Sequence, residues 1–131
     1  MDDKATLKTY LDSLRSAILW KLEGLDEWQL RWPMTSTGSN LLGIVKHLAA
    51  MEYGYLGHVF DRPGEELPWM GQDAEPNADL WATSDETVES VVRLYRRAVA
   101  HADETIASLD LDATGHVPWW PQPDVTLHLS L

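Results

Sequence analysis

The sequence predicts an all-α domain. Three observations carry that prediction: long segments whose apolar residues recur every three or four positions, capping signals at helix starts, and proline- and glycine-containing connections between the segments. At 131 residues the chain fits one domain, residues 1–131. Leu7, Leu11, Leu14, Ile18, Leu22 and Leu25 form one stripe, which predicts a first helix from about Asp3 to Gly24. Asp26 with Gln29 three places on reads as a capping box that opens a short turn, and Pro33 ends it because proline cannot continue the ladder.

Asn40 or Ser39 can cap a second long helix, with the stripe Leu41, Ile44, Leu48, Met51, Tyr55 and Val59, which ends before Asp61-Arg62-Pro63-Gly64. From Asp61 to Ala82 no period is sustained, so this reads as a connection between the two ends of the domain, with at most a short turn near Asp79 to Ala82. Thr83 with Glu86 is a second capping box, opening a helix that carries Val88, Val92, Tyr95, Val99, Ala102, Ile106 and Leu109. Asp110 to Pro123 reads as a loop rich in proline and tryptophan. Val125, Leu127, Leu129 and Leu131 alternate with polar residues, which on period alone reads as a strand. Three wide apolar faces are best buried around a fourth helix, in an up-and-down or crossed bundle. That helix is expected from another chain, from a longer form of this one, or to be replaced by repacking.

Ten Lys plus Arg stand against twenty-one Asp plus Glu, a formal charge of -11. Such an acidic balance repels phosphate backbones and anionic head groups, so neither nucleic acid nor a membrane surface is expected as partner. No stretch approaches the roughly 18 consecutive apolar residues of a bilayer span, and no export signal is read at the start. Zero Cys removes disulfides, thiolate metal sites and cysteine nucleophiles together and fits a cytoplasmic setting. Seven Trp against one Phe favour ring edges at polar borders as well as core filling.

His47 lies at the edge of the second helix's stripe and is expected to face a groove between helices. Two readings stay open: a core-edge histidine bonded to a neighbour, or a metal ligand. His58 is eleven residues further on, roughly 16 Å along a helix, so the two cannot share one ion. His58 also suits a helix C-terminus, where an imidazolium meets the dipole. His101 reads as solvent-facing. His116 and His128 reach an ion only if the tail folds back over His47. Glu52 sits on the opposite edge of the helix from His47, so the pair is no acid/base unit. Gly54 and Gly57 read as residues permitting close helix contact.

The segment Gly38-Ser39-Asn40-Leu41-Leu42-Gly43-Ile44-Val45-Lys46-His47-Leu48-Ala49-Ala50-Met51-Glu52 resembles the DinB-like superfamily of metal-dependent enzymes. That superfamily includes YfiT-like proteins and mycothiol-dependent maleylpyruvate isomerase. Trp81-Ala82, Tyr95-Arg96-Arg97-Ala98, Pro118-Trp119-Trp120 and Val125-Thr126-Leu127 extend the resemblance in order along the chain. It implies an up-down-down-up four-helix bundle of DinB type, here with the fourth helix truncated, its first turns being Val125 to Leu131. It also implies a divalent ion, zinc or nickel, held by a histidine of the second helix and two ligands spaced four apart on the fourth. His47 matches the first ligand. The other two have no match after Val125, and His128 is not at a ligand position.

The function the resemblance implies is activation of a low-molecular-weight thiol such as mycothiol, or of water, at that ion, for thiol transfer or hydrolysis on a small-molecule substrate. The competing expectation is a non-catalytic helical module whose exposed apolar faces form a homodimer or dock another protein.

Overall fold

The structure is a computed structural model describing residues 3–32, 40–67, 69, 82 and 86–127. Its order is α1 (Asp3–Glu23), α2 (Glu27–Arg31), α3 (Leu41–Tyr55), a 3-10 turn (His58–Phe60), α4 (Val88–Ser108), β1 (Thr114–His116) and β2 (Asp124–Thr126). Each start has a local cause. At α2 the Asp26 carboxylate accepts from the Gln29 amide while the Gln29 side chain accepts from the Asp26 amide, the box read in the sequence. Asn40 Oδ1 accepts from the Gly43 amide at 2.7 Å to cap α3, and its Nδ2 donates to the Arg31 carbonyl, tying the end of α2 to the start of α3. At α4 the cap is Thr87, whose Oγ1 accepts from the Ser90 amide at 2.9 Å. The helix therefore opens four residues after Thr83, which lies outside the described residues.

Leu11 of α1 lines the same cleft as Tyr55 and Leu56, and Leu22 and Leu25 line one with Leu41 and Val45, so α1 and α3 run antiparallel. Lys46 meets Glu86, Tyr53 meets His101, and Leu56 and Phe60 pack with Ala102 and Ile106, so α3 and α4 run parallel. That is an up-down-down order. Parallel neighbours need a chain crossing from end to end, which is why residues 61–87 are long. The core has two parts. One joins Leu22, Leu30, Leu42, Ala49, Leu94 and Ala98; the other, at the far end, joins Leu56, Val59, Phe60, Ile106, Val117 and Leu127.

Two expectations need correction. Residues 110–123 are not simply a loop, because β1 pairs antiparallel with β2, with Gly115 opposite Val125. Val125 and Thr126 are therefore strand and not the first turn of a fourth helix. Their period-two alternation has its physical basis in that pairing, with Val125 buried against the end core. Leu127 is the first helical residue after the hairpin, and 128–131 lie outside the described residues, as does the turn near 79–81. Likewise α3 stops at Tyr55 and Val59 belongs to the 3-10 turn. The architecture is thus mostly helical with one small hairpin. No helix among the described residues is long and apolar enough to cross a membrane.

Candidate functional site

Helix α3 is apolar on two stripes, and they do different things. Leu42, Val45, Ala49, Tyr53 and Leu56 are buried in the core, whereas Leu41, Ile44, Leu48, Met51 and Tyr55 are half-buried or exposed. The second set is the stripe that the spacing picked out. It lines an open apolar groove against α1, where Leu11, Leu14 and Ile18 form the facing wall. The groove holds about 660 Å³ at the Leu41 end and about 290 Å³ at the Tyr55 end, the two parts meeting at Ile18 and Leu48.

Arg15, 4% exposed, reaches across the floor of this groove to Glu52, with Nη2 and Nε at 2.6 and 2.8 Å from the two carboxylate oxygens. Its Nη1 lies 2.8 Å from Asp103 and 3.1 Å from Asp12. Burial opposes the guanidinium charge, but Glu52 and Asp103 more than offset it and hold Arg15 above its ordinary range. Tyr95 packs beside the pair. Burial, with the Glu52 carboxylate nearby, pushes its hydroxyl up to about 12.

His47 is half-buried at the border of the groove stripe, immediately before Leu48. On its other side, Ala50 and Gly54 follow at helical spacing and border a second cleft of about 470 Å³, walled by Tyr53, His58, Gly64, Glu65 and Glu66. Arg97 stands 3.0 Å from Glu65, and both charges act on the nearby Tyr53 hydroxyl. Burial and then the Glu65 charge raise the Tyr53 hydroxyl above its ordinary range. The loop presses so closely here that a Cβ on Gly64 would stand 2.1 Å from the Tyr53 ring. Gly57 is similarly pinched: a Cβ would lie 2.5 Å from the Tyr53 carbonyl oxygen. Gly54 is not a contact glycine, since a Cβ there meets nothing within 4 Å.

Lys46 went unremarked in the sequence. It is 2% exposed, its Nζ lies 2.9 Å from Glu86 and 4.4 Å from the centre of the Trp69 ring, and it stands next to His47 in the chain. The available signal was positional: Lys46 falls on the core side, between Leu42 and Ala49. Its partners are forty and twenty-three residues away, beyond any local pattern.

The other histidines are scattered. His58 is exposed in the 3-10 turn. His101 is half-buried rather than solvent-facing: Nε2 donates to the Arg62 carbonyl at 2.6 Å and the ring packs 5.5 Å from Tyr53. His116 faces Asp124 on the hairpin, and His128 lies outside the described residues. Glu52 is committed to Arg15, as its place opposite His47 required. Among the described residues no three His, Cys, Asp or Glu side chains cluster to hold a metal ion. A single imidazole does not retain a divalent ion, so these residues alone do not fit the metal that the resemblance implies.

The helices run up-down-down with His47 half-buried on the second long one, and the family this chain matches is of the DinB-like class. A family model described as Mycothiol-S-transferase matches residues 6–131, and the chain belongs to that family. No curated protein and no solved structure matches it.

Proposed function

We propose that the protein transfers a low-molecular-weight thiol, mycothiol, to a small-molecule acceptor, with His47 at the reacting centre. The observation that carries this reading is the family match over residues 6–131, with His47 half-buried on α3 one turn before Ala50 of the polar cleft. His47 is the position that matches the first metal ligand the resemblance implies, and among the described residues no three donor side chains cluster around an ion. When bound, such an ion favours the thiolate form of a thiol at neutral pH. What the chain itself supplies is a half-buried imidazole on a rigid helix, anchored by the Asn40 cap at one end and by the Arg15–Glu52 pair on the groove side.

The test pairs metal content with turnover. Protein purified without a tag is expected to consume mycothiol with an electrophilic acceptor, and that turnover, with any zinc or nickel the protein carries, is expected to be lost in His47→Ala. Unchanged metal and unchanged turnover in that variant would remove His47 from the chemistry. One observation favours a second reading, a helical module acting through a homodimer: the α1–α3 groove is flanked by Tyr10 and Leu14, 70% and 65% exposed. A concentration-independent monomer by sedimentation rejects it.

A further inference from the structure

We propose that the cleft on the Gly54 side of α3 seats the hydroxyl-rich, sugar-like body of the thiol substrate. The inference rests on the thiol-transfer reading above and adds to it the part of the molecule that recognises the thiol. Four observations converge. The cleft holds about 470 Å³, within the ordinary range for small-molecule sites. It lies along the side of α3 that carries His47: Ala50 and Gly54, in its lining, stand three and seven residues further on, within roughly 10 Å along the axis. A ligand lying over Gly54 thus reaches His47 with one end.

The glycine is the third observation. Close neighbours explain the glycine at Gly57, but at Gly54, one residue before the end of α3, the missing Cβ faces open space in the cleft. Its absence widens the cleft and serves no packing among the described residues. The fourth is the chemistry of the walls. Glu65 and Glu66 accept hydrogen bonds, while Tyr53 and His58 can donate or accept. Arg97 holds Glu65 in place, and the Gly64 backbone lies against the Tyr53 ring, so this wall is fixed before a ligand arrives. Carboxylates exclude an anionic occupant and leave an apolar one unmatched, but they suit a ring bearing hydroxyl or amino donors. The groove on the other side of α3 is walled mainly by Leu and Ile side chains, and its Arg15 and Glu52 are committed to each other.

The test uses glucosaminyl-inositol, the body of mycothiol without its cysteine, titrated calorimetrically into the full-length protein. The wild type is expected to bind it, Gly54→Ala to bind within twofold, and Gly54→Leu to bind at least tenfold more weakly. Since a Cβ at 54 meets nothing and leucine favours helix, Gly54→Leu keeps its circular dichroism and melting temperature. In turnover, Gly54→Leu raises KM for mycothiol about tenfold with kcat within twofold, while N-acetylcysteine, which carries no sugar-like body, is consumed at the wild-type rate. Failure of the wild type to bind the probe, or equal binding by Gly54→Leu, overturns the assignment. The two readings fail separately: probe binding without transfer of any thiol keeps the cleft and defeats the transferase, and mycothiol transfer without probe binding does the reverse.

Discussion

Helix α3 meets α4 and α1 in opposite ways. Toward α4 it presents Leu42, Ala49 and Tyr53 to Leu94, Tyr95 and Ala98, and small residues fully buried on both helices let the backbones approach. Toward α1 the contact is a buried ion pair beneath an open apolar channel. The difference teaches that an apolar stripe marks a surface able to be buried, not one that is. Packing side chains close the first interface, whereas a guanidinium and a carboxylate hold the second together.

The largest expected effect breaks that second interface at its floor. Arg15→Ala leaves Glu52, 8% exposed, as a buried charge without its bidentate partner and should cost about 3–5 kcal/mol, read as a drop in the urea midpoint at unchanged slope. Glu52 loses two charge-assisted bonds at once, while Asp103 and Asp12 keep Lys8, which lies 3.2 and 2.6 Å from them. The pair Arg15→Met with Glu52→Leu sharpens the point. It removes both charges into an apolar surround and should recover most of the loss. A double variant as unstable as Arg15→Ala would mean that the pair fixes the helix register as well as its own charge.

A smaller effect follows at alkaline pH on the α4 side. The folded pKa of Tyr95, about 12, lies above the unfolded value near 10, so the neutral phenol is favoured in the folded state. Its contribution is therefore whole below about pH 10 and is lost as pH rises toward 12, on the order of 2 kcal/mol. Unfolding experiments stepped through that window should show the loss, and Tyr95→Phe should flatten it. A wild-type slope unchanged by the substitution would place the alkaline transition on another tyrosine or lysine.

What the sequence disclosed, and what it hid, divides by the range of the interactions. The caps at Asp26 and Asn40 are legible because donor and acceptor stand three residues apart. The start of α4 is less so: Thr83 and Thr87 are both capping residues on one stretch, and only burial of Val91 and Leu94 selects the second. At α3 the stripe Leu41, Ile44, Leu48, Met51 was read correctly as a helix face. It could not be ranked against Leu42, Val45, Ala49, because a helix apolar on two sides carries no label saying which side has a neighbour. The half-buried place of His47 on α3 is legible from the apolar stripe beside it. Arg15–Glu52 and Lys46–Glu86, joined across 37 and 40 residues, depend on how helices pair and leave no local trace.

The smallest expected effect, at Ile44, tests the comparison most directly when set beside a large one at Leu42. Leu42 and Ile44 are two residues apart, 0% and 37% exposed, and face α4 and the groove respectively. Leu42→Ala removes a fully enclosed side chain and should cost about 2–5 kcal/mol through lost burial and the cavity left behind. Ile44→Ser removes apolar surface that water already reaches, so in the 131-residue chain its cost should stay within about 0.5 kcal/mol. Thermal denaturation of the two variants side by side gives the ratio. A loss at Ile44 approaching that at Leu42 would show that the groove is covered in solution. Repeating the measurement over a tenfold range of protein concentration then identifies the cover: a melting temperature rising with concentration assigns it to a second copy, and a constant one to the chain itself.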